Sequence, residues 1–256
     1  MSGSLYAQTT KVVIPHWGAN GDQQNTYFYK LLQLAFAETE ALYGPVDLQI
    51  YPEDLSSARL MADLKQGVTV DVVWNGTSEQ REKDFLPVYV SLLKELNEYR
   101  VLLVRKDDQE KFAQIQSLDE LRKLTAGSGA DWPSRDVLNR NGLPVVAVNN
   151  GNLLYPMLKA KRFDYISRNM FEAWNEENLY AKDGLIVEKT LLLHGGVPFY
   201  FFVNRHNGRL AERIKLGLDM AIADGRFAKL FFSFPDFKRG IDEIKLSKRK
   251  ALSLEN

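Results

Sequence analysis

Apolar and polar positions fall into short blocks along this chain, and the blocks read alternately as strands and helices. Lys11-Val12-Val13-Ile14-Pro15 is apolar and β-branched enough for a first strand, and a loop over residues 16–22 follows it. Asn25 or Thr26 can cap a helix whose residues Phe28, Leu31, Leu32, Leu34, Ala35 and Phe36 keep helical spacing, up to about Tyr43. Gly44-Pro45 stops it, and Val46-Asp47-Leu48-Gln49-Ile50-Tyr51 alternates as a half-buried strand does. Ser56 or Ser57 opens the next helix through Leu60, Met61 and Leu64, and Gly67 closes it. Val70-Asp71-Val72-Val73-Trp74 predicts a buried strand, residues 75–81 a polar turn, and residues 86–90 and 99–106 two further strands.

The alternation then repeats. Ser117 and Glu120 have the spacing of a capping box, and Pro133 suits the first turn of a helix through Val137 and Leu138. Residues 145–148 and 163–166 read as strands around a helix at 153–158. A strand at 199–203 and helices around 210–223 and 225–232 follow. Strand–helix–strand–helix–strand predicts a parallel sheet with helices on its faces. Two such units and a C-terminal return predict two lobes joined by more than one crossing of the chain. Pockets favour domain interfaces, so a cleft between the lobes is the expected binding site.

Composition narrows function by exclusion. Lys+Arg and Asp+Glu are both 33 in 256 residues, so no global field favours nucleic acid or an anionic membrane surface. Functional electrostatics must therefore be local. The absence of cysteine excludes disulfides and thiol chemistry, and no run of 18 apolar residues predicts a membrane span. His16, His194 and His206 lack metal-ligand spacing, so no metal or cofactor is expected, and no Gly-x-Ser-x-Gly elbow occurs. Ser4-Leu5-Tyr6-Ala7-Gln8 is similar to the tail of a signal cleavage site, so a start near a mature N-terminus, its signal peptide removed, is expected.

An α/β sheet places its ligand just beyond the carboxyl ends of its strands. After the third strand that position holds Asn75, Thr77, Ser78 and Arg81. Arg81 leads the candidates, because its fork of donors matches a carboxylate. The alternative is a surface arginine paired with Glu79, Glu82 or Asp84, worth ~0–1 kcal/mol. Trp74, and Trp17 with Asn20 and Tyr27, offer aromatic and polar faces to a ligand or else pack in the core. Gly127-Ser128-Gly129-Ala130-Asp131-Trp132-Pro133 opens a helix whose free N–H groups suit an anion, the alternative being a plain turn capped by Asp131. Arg168 is a second cation, the alternative being an exposed arginine near Glu172. Two arginines in one cavity would require a ligand with two acidic ends. Residues 172–177 read as a solvated helix face, and the basic run 245–250 as a solvated tail.

Over residues 11–232 the chain resembles the type II solute-binding proteins, the two-lobed family that includes the polar-amino-acid binders of bacterial ABC transporters. The family's Asp-Val-apolar strand, Thr-Pro-Glu-Arg turn and Pro-Tyr strand have counterparts in Asp71-Val72-Val73, Ser78-Glu79-Gln80-Arg81 and Pro87-Val88-Tyr89. Ser117-Leu118-Asp119-Glu120-Leu121 and Lys161-Arg162-Phe163-Asp164 are similar to two further family elements. The resemblance implies an α/β, two-lobed periplasmic-binding-protein-like fold, each lobe a mostly parallel sheet flanked by helices, with the ligand cleft between lobes. Residues 1–102 and 197–256 are then lobe one, and residues 103–196 lobe two. Ligand-binding residues would be Arg81, Trp74, Asn75, Thr77, Ser78, Trp17 and Tyr27 from lobe one, and Ser128, Asp131, Trp132 and Arg168 from lobe two.

The same resemblance implies a periplasmic monomer without cofactor or nucleic-acid partner. It would deliver a small carboxylate-bearing ligand to the membrane permease of an ABC transporter, or report to a sensor kinase. Amino-acid binders carry an aspartate for the ligand's ammonium where this chain has Arg168 or Asn169, which argues against a simple α-amino acid. The usual Thr-Pro is also replaced, by Asn75-Gly76-Thr77-Ser78. An apolar part of the ligand is expected against Trp74, Trp17 or Tyr165. Two alternatives are a ligand-sensing domain and a dehydratase-like enzyme of the same superfamily. Catalysis would need an acid or base among Asp131, Asp164 and His16, none of which comes with a diagnostic partner.

Overall fold

The computed structural model describes residues 9–16 and 23–255, which divide into two compact units. The first contains the described residues up to Leu92 together with Phe199–Phe234; the second contains Leu93–Pro198 and the described residues from Pro235 onward. In chain order the first unit holds β1 (Thr10–His16), α1 (Gln23–Glu38), α2 (Glu40–Tyr43), β2 (Val46–Asp54), α3 (Ser57–Gln66), β3 (Val72–Gly76), α4 (Glu79–Asp84) and β4 (Phe85–Val88). The second continues with β5 (Tyr99–Arg105), α5 (Gln109–Ala113), α6 (Leu118–Leu121), β6 (Ala126–Gly129), α7 (Pro133–Arg140) and β7 (Val145–Val148). It goes on through α8 (Leu154–Lys159), β8 (Tyr165–Asn169), α9 (Ala173–Tyr180), β9 (Leu185–Val187) and β10 (Leu191–His194). The chain returns to the first unit as β11 (Phe199–Asn204), α10 (Gly208–Ala223) and α11 (Arg226–Phe232), and ends in the second as α12 (Pro235–Leu246) and β12 (Lys250–Ser253).

In the first unit β1 pairs in parallel with β2, while β3 and β4 flank β11 in antiparallel fashion. Asp71 joins the two sets: its backbone N–H donates to the Val13 carbonyl, and its Oδ2 accepts from the Val13 N–H, both at 2.7 Å. The local signals around α3 act as expected. Ser56 accepts from the Arg59 N–H, and Gly67 closes the helix at φ 67°, where a glycine is unstrained. Leu60 and Leu64 of α3 then pack on Val73, Phe85 and Phe202 of the sheet.

The long helix expected from residue 25 or 26 to Tyr43 is two helices. It begins at Gln23, ahead of both candidate caps, and breaks at Thr39. The Thr39 hydroxyl donates back to the carbonyls of Ala35 and Phe36 and competes with the helical ladder there. α10 packs on α1 at Gly217, where a β-carbon would overlap the Ala35 carbonyl oxygen.

The second unit is one mixed sheet in the order β12-β10-β5-β8-β6-β7, with β9 also paired to β5. β6 runs parallel to β7 and β8, and β10 parallel to β12, whereas β5 is antiparallel to all three of its partners. This pairing shifts the expected lobe boundaries. β5 hydrogen-bonds to β8 and β10 from Tyr99 onward, and β12 extends β10, so residues 93–102, 197–198 and 235–255 belong to the second unit instead of the first.

Of the two stretches expected to be solvated, the basic run is exposed at Lys245, Leu246, Lys248 and Lys250 with one side chain packed, and residues 172–177 are largely packed. Arg249, in the basic run, has a side chain only 7% exposed, and its Nε lies 2.9 Å from Glu243. In α9, Trp174 and Glu176 are buried, with the Arg239 guanidinium 4.6 Å above the Trp174 ring. No helix among the described residues is long and apolar enough to cross a membrane.

Candidate functional site

Each unit carries a polar cluster next to a strand terminus, and the two are built on different principles. In the first unit β3 runs to Gly76, and the expected polar turn is in fact strand end, cap and helix start. Ser78 is extended and accepts from the Arg81 N–H, which starts α4. Arg81 is half-buried one turn in, and its Nη1 donates to the Gly76 carbonyl at 2.8 Å. Its acidic neighbours are engaged elsewhere. Glu79 faces Lys83, Asp84 accepts from Lys65 and Gln80, and Glu82 accepts from the Thr77 and Tyr89 hydroxyls at 2.6 and 2.9 Å. Asn75 turns its Oδ1 to the Gly76 N–H. The structure thus brings Asn75, Thr77, Ser78 and Arg81 together and adds Glu82 and Tyr89, which sequence reasoning missed.

In the second unit Arg168 is buried at the end of β8. Its Nε lies 2.7 Å from Glu176 Oε2 and its Nη2 2.6 Å from Glu172 Oε2. Burial opposes the Arg168 charge, but Glu172 and Glu176 overcome it and push its pKa up. Beside it Arg100 is also buried, donating to the Ser167 side chain and carbonyl at 2.8 Å and to Asn169 Oδ1 at 2.5 Å. Burial, reinforced by the Arg168 charge, brings Arg100 down to about 10. Asn169 Nδ2 continues the chain to Glu172 at 3.1 Å. The two arginines and two glutamates balance in formal charge, with Arg168 pairing directly to both glutamates and Arg100 held by neutral groups. The expectation of an exposed arginine near Glu172 fails on burial, although Glu172 is indeed a partner.

The free face of Arg168 covers Trp132, with Cζ 4.6 Å from the ring centroid. Trp132 in turn packs on Gly129, where a β-carbon would come within 2.5 Å of the indole nitrogen. α7 is capped at Trp132 and not by Asp131, which is exposed. Ser128 is buried, its hydroxyl donating to the Gly129 carbonyl at 3.3 Å.

Several candidates lie elsewhere. Tyr27 is a core residue, fully buried among Phe28, Phe231 and Phe234, with its hydroxyl donating to the Leu92 carbonyl at 2.6 Å. Burial pushes its pKa well up. Trp74 is likewise in the core, against Phe28 and Phe201. Tyr165 is fully buried edge-on to Phe112, so no ligand reaches it. Trp17 and Asn20 lie outside the described residues. Asp164 is held by Lys111 at 2.8 Å and by the Thr125 N–H at 2.9 Å.

No family model and no curated protein matches the chain. Solved structures do. A periplasmic binding protein of Salmonella typhimurium with high arginine specificity superposes with a TM-score of 0.62 at 15% identity, over 88% of this chain and 99% of that one. This chain has the fold of the type II solute-binding proteins. The substrate-binding protein of an amino-acid ABC transporter shares that fold at 15% identity and TM-score 0.60, over 88% and 99% of the two chains. So does a histidine kinase sensor domain similar to periplasmic binding proteins, at 17% identity and TM-score 0.61, over 90% and 97%. The expectation of a two-lobed α/β fold holds, but that of mostly parallel sheets does not: β3, β11 and β4 pair antiparallel, and β5 is antiparallel to all three of its partners, because neighbouring strands here arrive from distant segments instead of successive strand–helix–strand crossovers.

Proposed function

We propose that this protein is an extracytoplasmic solute-binding protein serving uptake, and that Arg81 grips the carboxylate of a small ligand. The observation that carries this reading is the setting of Arg81. It lies just past the carboxyl end of β3, half-buried and pinned to the Gly76 carbonyl, while Glu79, Glu82 and Asp84 are occupied by other partners. A guanidinium anchored in this way loses little freedom on meeting a carboxylate, so more of each hydrogen bond appears as affinity. Asn75, Thr77 and Ser78 add polar groups at the same strand end. The fold supports the reading, since proteins that share it bind amino acids.

Arg168 is assigned a different part. Glu172 and Glu176 already balance it, so it holds the Trp132 ring in place and a second acidic group on the ligand is unnecessary. Binding is preferred to catalysis because Asp164, one of three candidate acids or bases, is locked by Lys111 and the Thr125 amide.

A thermal-shift panel of amino acids, dicarboxylates, keto acids and aromatic monocarboxylates tests the proposal. A ligand present at a hundred times its Kd adds ~2.7 kcal/mol to stability. Arg81→Ala should weaken the hit roughly 10- to 100-fold, the range of a charged hydrogen-bonded contact, while barely moving the melting temperature without ligand. An unchanged affinity in Arg81→Ala would overturn the carboxylate grip.

A further inference from the structure

The first unit holds a second basic feature, away from Arg81. A cavity of about 110 Å³ is lined by Lys11, Tyr43, Asp71, Asn207, Arg209 and Arg213, together with neighbouring backbone. That is far more than the ~10–15 Å³ a single water requires. Arg213, from α10, is only 4% exposed. Its Nε donates to the Thr39 hydroxyl at 3.1 Å and its Nη2 to the Gly44 carbonyl at 2.5 Å, and its Cζ lies 5.3 and 5.4 Å from the Phe36 and Tyr43 rings. Every one of these partners is neutral.

A buried cation ordinarily has an anion beside it, because an unpaired charge is costly to remove from water. Among the described residues Arg213 forms no ion pair, and neither do Lys11 and Arg209 on the same cavity wall. The one acidic residue in the lining, Asp71, gives its Oδ2 to the Val13 N–H at 2.7 Å. Burial, the largest influence, and the adjacent Arg209 work against the Arg213 charge and bring its pKa down, although Tyr43 and Glu40 oppose them. The start of α10, at Asn207, adds the positive end of a 16-residue helix. Three cations against the single carboxylate of Asp71 leave an excess of positive charge on one small cavity, which a small anion beside the three cations would relieve.

We propose that this cavity binds a small inorganic oxyanion of the phosphate type, held by Lys11, Arg209 and Arg213. The site lies wholly within the first unit and shares no residue with the Arg81 cluster.

Thermal unfolding of the full chain, titrated with inorganic phosphate against sodium chloride of equal ionic strength, provides the test. Expected is a saturable rise in melting temperature with phosphate beyond that with chloride. It should persist in Arg81→Ala and weaken at least ~10-fold in the double variant Lys11→Gln/Arg209→Gln, as lost charge-assisted contacts require. Both substituted residues are exposed, so the double variant keeps its core. No rise, an equal rise with chloride, a rise abolished by Arg81→Ala, or one undiminished in the double variant would each overturn the proposal.

Discussion

Arg81 follows the carboxyl end of β3 and Arg168 lies at the carboxyl end of β8, yet their surroundings give them different chemistry. Arg81 is half-buried, tied to a neutral backbone carbonyl, and flanked by acids that are paired with other groups. Arg168 is buried against two glutamates and spreads its remaining face over an indole. An arginine is therefore not a ligand site by residue type or by position alone. The counter-charges the fold brings to Arg168 commit it to the protein's own interior.

The sharpest way to break this contrast is Glu176→Ala. It leaves Arg168 partly uncompensated in a buried position and should cost about 3–5 kcal/mol, read as a fall in the urea midpoint. A loss below about 1 kcal/mol would mean that Arg168 is not committed to Glu176, and the comparison collapses. Gly129→Ala comes next. Its β-carbon would collide with the Trp132 indole nitrogen, and displacing the ring should cost about 1–3 kcal/mol with a shift in tryptophan emission.

Ser78→Ala removes the cap of α4 and should cost about 1 kcal/mol, while loosening Arg81 enough to weaken ligand binding measurably in calorimetry. Ligand affinity left intact would show that the Ser78 cap does not position Arg81. The smallest effect is one of pH. Burial works against the Asp164 charge, but Lys111, the Thr125 amide and Arg105 outweigh it and hold the carboxyl below its ordinary range. The folded chain thus binds fewer protons here than the unfolded one, so this stabilisation is complete above the ordinary pKa of ~3.9 and is lost as pH falls through the lower folded value. The stability gap between the wild type and Asp164→Asn should be widest near neutrality and close below about pH 4.

Elements fixed by neighbours in sequence were legible, and those fixed by distant partners were not. α3 could be placed because Ser56 and Gly67 mark its ends within the segment itself. The polar end of β3 could be placed for the same reason, although Ser78 caps a helix and is not the turn residue its sequence suggests. β5 shows the limit: its apolar run suits a central strand of either unit, and only its pairing with β8 and β10 assigns it. Residues 172–177 look like a charged surface, and the one local hint otherwise was Trp174, a large apolar residue with no reason to be solvated there. Tyr27 follows the same rule from the other side, since nothing in its neighbourhood announces that its hydroxyl finds the Leu92 carbonyl 65 residues away.

By itself the sequence determined the alternation of strands and helices, the caps at Ser56 and Ser117, and the collection of amides, hydroxyls and one arginine after β3. These depend on hydrogen bonds and hydrophobic periodicity within a few residues. Only the tertiary structure decided that the C-terminal segment completes the second unit, that Arg168 is buried against Glu172 and Glu176 while Arg81 is tied to the Gly76 carbonyl, and that Arg213 is buried with neutral hydrogen-bond partners. Strand pairing acts through space between segments far apart in sequence, and it is burial in the second unit that turns Arg168 and its near neighbours Glu172 and Glu176 into an internal cluster.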